Sequence, residues 1–126
     1  MQQDYKKLPD SELEVMLAIW HCDAPTHIGE IQQRLNPGKS RPYQAVQILL
    51  SRLAEKGFVK CEKLGRLNYY TPLVEEDKYR AQETVSFIDK LYGSSPARLV
   101  AALVQDSGLK ESDIAEIRRI LERAGE

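Results

Sequence analysis

The chain has 126 residues, enough for about one domain with an appendage. Hydrophobic residues make up 42% of it and charged residues 29%, and no apolar run approaches the roughly 20 residues that a membrane span needs. The first ten residues lack the apolar stretch of a signal peptide, which predicts a cytoplasmic location, and the net charge of −1 argues against a protein that coats nucleic acid indiscriminately.

An amphipathic helix is predicted at the start of the chain. Pro9 and Asp10 open it, and its cap is either Asp10 itself or a capping box formed by Ser11 and Glu14. Its apolar residues follow the spacing i, i+3, i+4, i+7 and predict one buried face, which consists of Leu13, Met16, Leu17 and Trp20.

A second, shorter helix follows a break at residues 23–25. Thr26 is a plausible N-cap for it, and residues 36–38 (Asn-Pro-Gly) end it abruptly. Its apolar residues are Ile28, Ile31 and Leu35.

A third helix is predicted from Pro42, which suits a first helical turn, to the region before Gly57, which suits the position after a helix end. Its apolar stripe should face the core and comprises Val46, Leu49, Leu50 and Leu53. Because an α-helix advances about 100° per residue, a different patch faces outward. That patch comprises Gln44, Gln47, Ile48 and Ser51.

Residues 58–63 and 67–71 are predicted to form two strands around Leu64-Gly65-Arg66, with Val59 and Cys61 on a buried face. Three short helices followed by a β-hairpin make a winged helix-turn-helix, so the fold class is mainly α. In this architecture the third helix enters the DNA major groove and the hairpin lies over the backbone.

Pro72 closes that unit, which gives a predicted DNA-binding domain at residues 1–72 and a helical domain at residues 73–126. Ser95 and Pro96 are predicted as N-cap and first residue of one of its three helices. About fifty residues in three amphipathic helices cannot make a substantial core alone. They therefore pair with another chain or, as the alternative, cap the first domain of a monomer. The predicted dimerisation residues are Val85, Ile88, Leu91, Tyr92, Leu99, Val100, Leu103, Ile114, Ile117, Ile120 and Leu121.

Charge is unevenly distributed along the chain. Residues 34–66 hold eight basic and two acidic side chains, a net charge of +6, whereas residues 73–126 carry a net charge of −3. A basic stripe is the electrostatic footprint of a phosphate partner, here double-stranded DNA.

The outward patch of the third helix is suited to base contacts. A glutamine can bond bidentately to adenine, and an apolar side chain such as Ile48 can pack on a thymine methyl group. The bland alternative is a solvated helix face. Phosphate contacts are expected at the start and side of this helix and in the hairpin, from Ser40, Arg41, Tyr43, Arg52, Lys63, Arg66 and Asn68. Arg52 could instead brace the domain.

Several fragments in order resemble one known family. They are Glu12, Val15, Met16 and Ile19-Trp20 in the first helix, then LLSRLAEKGFV (residues 49–59), GRLNYYTP (65–72), KLYG (90–93) and LV (99–100). Over nearly its whole length the chain resembles the penicillinase repressor family (BlaI/MecI/CopY type) of bacterial repressors.

The resemblance implies a homodimer that represses transcription by occupying an inverted-repeat operator. No cofactor is predicted. It also implies release by a signal, which in the best-known members is β-lactam detected by a membrane sensor-protease, followed by cleavage of the repressor at an Asn-Phe bond. The matching position here is Ala102-Leu103, which departs from that specificity. The copper-responsive branch carries a C-terminal cysteine cluster, and no cysteine follows Cys61 here.

Three alternatives remain open at this stage. A winged helix can serve as a protein-interaction module that does not bind an operator. His21, Cys22 and His27 could supply three metal ligands, although a structural zinc site usually has four. An enzyme with a nucleophilic cysteine is disfavoured, because no histidine lies near Cys61 in sequence and no glycine-rich phosphate loop occurs.

Overall fold

A computed structural model describes residues 4–35 and 41–125 of the chain. It contains, in chain order, α1 (Asp10–Trp20), β1 (Thr26–His27), α2 (Ile28–Arg34), α3 (Tyr43–Glu55), β2 (Val59–Leu64), β3 (Leu67–Pro72), α4 (Glu76–Leu91), α5 (Pro96–Asp106) and α6 (Glu111–Ala124). None of the helices in these two ranges is long and apolar enough to cross a membrane. The predicted order of three helices, a hairpin and three further helices is confirmed, with β1 as an addition.

The chain divides into two compact units, Met1–Glu83 (unit 1) and Thr84–Glu126 (unit 2). The boundary differs from the predicted one after Pro72, because the residues that follow Pro72 complete the core of unit 1. Val74 and Tyr79 are both buried there, and Trp20 donates a hydrogen bond from Nε1 to the carbonyl oxygen of Val74 at 2.8 Å.

The core of unit 1 is built from one face of each of the first three helices, from Phe58 and from the sheet. Its fully buried side chains include Val15, Met16, Ile19, Ile31, Val46, Leu50, Leu53 and Phe58. In α1 the buried face is rotated from the predicted one, since Leu17 is only half-buried and Leu13 and Trp20 lie at the edge of the core. Apolar residues occupy more than one side of α1, so the spacing rule alone could not identify the side that faces the core and selected the wrong one.

The starts of α1 and α2 also differ from the predicted caps. Pro9 is the N-cap of α1, and no side chain caps that helix, so neither Asp10 nor Ser11 does so. In α2 the N-cap is His27, whose Nδ1 accepts a hydrogen bond from the backbone N–H of Gly29 at 3.1 Å. Thr26 is not the cap because it belongs to β1, where it is paired with Tyr70.

The sheet has three antiparallel strands in the order β1-β3-β2. Beyond Val59 every residue of β2 is exposed, including Cys61, so the predicted burial of alternate residues is wrong. Each face of this part of the strand is open, because the β2–β3 hairpin, hereafter the wing, extends past the core that covers its base. Gly65 at the tip has a positive φ of +67°, which suits the tight turn that joins Leu64 to its partner Leu67.

Residues 4–8, hereafter the N-terminal segment, are attached to α4. The backbone N–H of Leu8 donates to the Tyr79 hydroxyl at 2.9 Å. Gln82 forms two hydrogen bonds with the backbone of Tyr5, accepting from its N–H at 2.8 Å and donating to its carbonyl oxygen at 2.6 Å. The Tyr79 ring also contacts the rings of Trp20 and Phe58, with centroid separations of 5.9 and 5.6 Å. The first half of α4 is thereby part of unit 1.

Unit 2 contains the end of α4 together with α5 and α6. Ser95 caps α5 by accepting a hydrogen bond from the N–H of Arg98 at 3.3 Å, and Pro96 is the first helical residue, both as predicted. Lys110, a weak cap by residue type, precedes α6, and its backbone N–H is bound by the Asp113 carboxylate at 3.0 Å. No described side chain of α5 or α6 is fully buried.

Replacing Tyr79 with phenylalanine should lower the free energy of unfolding by about 1–3 kcal/mol, because the buried N–H of Leu8 would lose its acceptor while the ring contacts remain. Tyr5→Phe is the matched control, since it removes a hydroxyl from the same unit without removing an acceptor for Leu8. Urea unfolding of both variants measures the difference, and equal stabilities would contradict a role for the Tyr79 hydroxyl.

Candidate nucleic-acid interface

The position of α3 is fixed by burial of one face. Val46, Leu50 and Leu53 are completely buried and Leu49 is nearly so, as predicted. The helix starts at Tyr43 with Pro42 as its N-cap, one residue later than predicted. Its end is as expected, because Gly57 follows the C-cap with a φ of +81° that few other residues adopt. The helix therefore has two defined ends and one buried face, and its opposite face is exposed to solvent.

An ion pair within unit 1 also holds α3. The Glu12 carboxylate, whose side chain is 3% exposed, pairs with the Lys56 ammonium at the C-terminal end of α3. Breaking such a pair is costly, because it leaves a charge away from water without compensation. The contact joins α1 to α3 across 44 residues of sequence, and no sequence spacing could have shown it.

The outward face of α3 carries the four predicted base-contacting residues. Gln44, Gln47 and Ser51 are exposed, and Ile48 is 55% exposed, opposite to the buried stripe. Their spacing of i, i+3, i+4 and i+7 places them along one line of the helix surface. The structure therefore brings these four residues together, and their role in contacting bases stays a prediction.

The N-terminal end of α3 holds the first group of predicted phosphate contacts. Ser40 lies outside the described residues. Tyr43 is 51% exposed, but Arg41 is half-buried and its Nη2 lies 2.9 Å from the Glu14 carboxylate of α1. The Arg41 guanidinium is thus engaged within the protein, which the sequence did not indicate.

The wing and the side of α3 hold the remaining predicted phosphate contacts. Lys63 and Asn68 face each other across the hairpin as a register pair, Arg66 lies in the turn, and all three are exposed. Arg52 is exposed on α3 and forms no ion pair with another residue that the structure describes.

Two apolar residues at the wing tip were missed by the sequence analysis. Leu64 and Leu67 are 51% and 46% exposed and flank the turn as a register pair. Their hydrophobicity favoured a buried position, whereas the short Gly65-Arg66 connection places them at the tip, farthest from the core. A two-residue turn with a glycine was the available signal.

Tyr70 closes the base of the wing beside this surface. It is buried and pairs with Cys61 across the two strands. Burial is the main cause that raises the pKa of Tyr70 to about 12, with the neighbouring Cys61 thiol adding to the shift and Asn68 opposing it. A tyrosine is neutral at physiological pH even without this shift, and the raised pKa keeps the Tyr70 phenol neutral at higher pH as well.

Unit 2 exposes most of the predicted dimerisation residues. Ile88, Tyr92, Leu99 and Ile117 are half-buried, and the exposed members are Val85, Leu91, Val100, Leu103, Ile114, Ile120 and Leu121. Phe87 and Val104, at 47% and 59% exposed, are two further exposed apolar residues of unit 2 outside the predicted set. The Ala102-Leu103 bond lies inside α5 rather than in a loop.

The alternative of a metal site gains no support. Across residues 4–35 and 41–125, no group of three or more histidine, cysteine and acidic side chains is placed to hold a metal ion. His27 is used as the cap of α2, and its Nε2 lies 3.3 Å from Glu30. Cys22 and Cys61 are both free thiols, the first half-buried and the second exposed.

A winged helix with a polar outward face on its third helix and an exposed basic wing defines a DNA-binding protein of the helix-turn-helix class. The family model described as Penicillinase repressor matches residues 8–123. The chain therefore belongs to the penicillinase repressor family, whose members are transcriptional repressors and not enzymes.

Relatives cover the chain almost completely. The penicillinase repressor of Bacillus licheniformis is 32% identical over an alignment of length 121, and this alignment covers 93% of this chain and 93% of the relative. The methicillin resistance regulatory protein MecI of Staphylococcus aureus (strain N315) is 31% identical over an alignment of length 120, and this alignment covers 93% of this chain and 94% of the relative. These matches confirm the resemblance given by the sequence fragments.

One solved structure supports the fold of the first part of the chain. The solution structure of the DNA binding domain of the repressor BlaI superposes with a TM-score of 0.51 and 31% sequence identity, and it covers 61% of this chain and 93% of that domain. The winged-helix prediction is confirmed.

The division between the two faces of α3 can be measured through stability. Ile48→Ala should change the free energy of unfolding by no more than about 0.5 kcal/mol, because the side chain is exposed. Leu49→Ala, one residue away, should cost about 2–5 kcal/mol because it leaves a cavity in the core. Urea unfolding compares the two variants, and a large loss for Ile48→Ala would mean that this residue packs inside the protein.

Proposed function

We propose that the chain is a homodimeric transcriptional repressor that binds an inverted-repeat operator through α3 and the wing. The observation that carries the proposal is that one face of α3 is buried while the opposite face is exposed. Four aliphatic residues on one side hold the helix in the core, and the four residues on the other side are open to a partner. The DNA-binding domain of a repressor with the same fold supports the choice of duplex DNA as that partner.

The outward face of α3 suits recognition of A·T base pairs. A glutamine amide presents a donor and an acceptor that match N6 and N7 of adenine in the major groove, as Gln44 and Gln47 could each do. Ile48 lies beside Gln47 and offers an exposed aliphatic surface to a thymine methyl group. Ser51, one turn farther along, can donate or accept a hydrogen bond.

The exposed cations of the wing suit the DNA backbone. Lys63 and Arg66 are exposed near the turn and have no ion pair among the described residues, whereas Lys60 lies 3.4 Å from the Glu62 carboxylate. Contacts of this kind fix the position of a protein on the duplex without carrying sequence information. We therefore assign Lys63, Arg66 and Arg52 to phosphates, with Tyr43 and Asn68 as neutral donors.

The apolar surface of unit 2 suits a second copy of the chain. Nine large hydrophobic side chains between Val85 and Leu121 are at least 37% exposed, and α5 and α6 have no buried residue in the described part. So many exposed large apolar side chains on one helical unit usually mark an interface. A twofold dimer presents two copies of α3, which matches an operator of two inverted half-sites.

Release of the operator is proposed to act through unit 2, by a signal such as proteolysis there. A cut in α5, for instance at Ala102-Leu103, would separate part of the apolar surface from the rest and weaken the dimer. Such a cut requires local opening of α5, because the bond lies within the helix. In this proposal a membrane sensor-protease triggers the cut indirectly.

The competing proposal is that the chain is a protein-interaction module. The salt dependence of DNA binding distinguishes the two proposals. Operator binding through phosphates weakens steeply as the salt concentration rises, by about 0.9 units of log K per contact for each tenfold increase. Selection of bound fragments from the source genome provides the operator for this measurement. Recovery of no preferred fragment would leave the interaction module as the better description.

Gln47→Ala should lose discrimination at one or two base pairs, each worth about 1–3 kcal/mol, because its amide contacts a base edge. The matched control is Lys63→Ala, which should weaken binding to all sequences alike and flatten the salt dependence by about one unit. Binding to operators with single base-pair changes measures both. A uniform loss in Gln47→Ala would remove this residue from the base contacts.

Ile120→Asp with Leu121→Asp should convert the dimer into a monomer, because two carboxylates would enter the proposed apolar interface. Operator affinity should fall by more than tenfold, since two half-sites would no longer bind as one unit. Sedimentation equilibrium measures the mass, and Ser112→Asp on the exposed surface of the same helix is the control. A dimer that persists in the double variant would contradict the proposed interface.

A further inference from the structure

The ion pair between Glu14 and Arg41 lies at the start of the proposed recognition helix. Nη2 of Arg41 is 2.9 Å from Oε2 of Glu14, and the two side chains are 31% and 27% exposed. A pair that is partly removed from water is stronger than a fully exposed one, but it is still open to an incoming anion. Arg41 is thus held at a place that is still partly open to solvent.

The position of Arg41 relative to α3 is also fixed through its backbone. Its carbonyl oxygen accepts a hydrogen bond from Nε2 of Gln32 in α2 at 3.3 Å, and Pro42, the N-cap of α3, follows directly. Glu14 in α1 fixes the side chain while Gln32 fixes the main chain. The guanidinium is therefore presented at one defined place beside the N-terminal end of α3.

One of the N–H donors of the guanidinium is closed to an external ligand in this arrangement, so a phosphate would have to bind the remaining ones, among them the Nη2 group that contacts Glu14. Nε of Arg41 is buried and has no hydrogen-bond partner among the residues that the structure describes. An arginine has five N–H donors and binds a phosphate as readily as a carboxylate, often through two parallel bonds. A phosphate at this place would therefore compete with Glu14 for the same cation.

We propose that Glu14 is a positioning residue that determines specificity. It keeps the Arg41 guanidinium away from the phosphates of non-operator DNA and releases it when α3 is docked on the operator. The inference rests on the proposed function. On the operator, base contacts hold α3 in place and give one phosphate a high effective concentration beside Arg41. On other DNA no such contacts hold the phosphate there, so Arg41 stays with Glu14.

The test is the salt dependence of binding to two duplexes, the operator fragment recovered by selection and a scrambled duplex of the same composition. Glu14→Gln should steepen the dependence on the scrambled duplex by about one unit of log K per tenfold change in salt, because Arg41 is then free to bind any phosphate. The ratio of operator to scrambled affinity should fall accordingly.

The double variant Glu14→Gln with Arg41→Gln replaces the ion pair by two neutral side chains and conserves the net charge. Its salt dependence on the scrambled duplex should return to the wild-type value, whereas that on the operator should be flatter than wild type by about one unit. This variant decides the question by itself if the single variant does not fold. A double variant with wild-type dependence on both duplexes would mean that the pair is only a structural tie and would overturn the proposal.

Glu75→Gln is the matched control for the loss of one negative charge. Glu75 belongs to an exposed pair with Lys78 in unit 1, at 3.4 Å, and its removal should leave the scrambled-duplex dependence at the wild-type value. An effect equal to that of Glu14→Gln would show that net charge alone is responsible and would overturn the proposal. A wild-type protein that does not distinguish the two duplexes would instead overturn the proposed function, and Glu14→Gln on the scrambled duplex would still show whether Arg41 is withheld.

Discussion

Burial of a single face of α3 is the constraint on which the remaining features depend. Val46, Leu49, Leu50 and Leu53 fill the space between α1, α2 and the base of the sheet, and this packing orients the helix around its own axis. A rotation of the helix by a third of a turn would bring Gln47 or Ser51 into the core, where an amide or hydroxyl group without a partner is costly. The apolar core thus determines which side chains are available to DNA.

This arrangement of α3 could be predicted from the sequence because the two properties on which the arrangement depends are local. The spacing of the aliphatic residues in α3 and the glycine that ends the helix need no knowledge of distant contacts. The charge contrast between residues 34–66 and residues 73–126 was equally visible.

Several features that the sequence did not reveal depend on contacts between distant residues. Glu12 with Lys56 and Glu14 with Arg41 are separated by 44 and 27 residues. The domain boundary was placed at Pro72 because a proline commonly ends an element, but Val74 and Tyr79 are needed by the core that precedes it. In β2 the prediction that alternate residues are buried assumed that one face of the strand is covered. The strand has no covered face beyond Val59.

The attachment of the N-terminal segment to α4 has a consequence for how this unit can be used. Tyr5 and Gln82 are 77 residues apart in sequence but bonded to each other, so the two ends of the winged helix are adjacent in space. A folded unit whose ends meet can be inserted into a loop of another protein or circularly permuted without stretching its chain. The winged helix of this repressor can therefore be transferred to another protein as one unit. The contact between Tyr5 and Gln82 would remain within that unit, because it joins the N-terminal segment to α4.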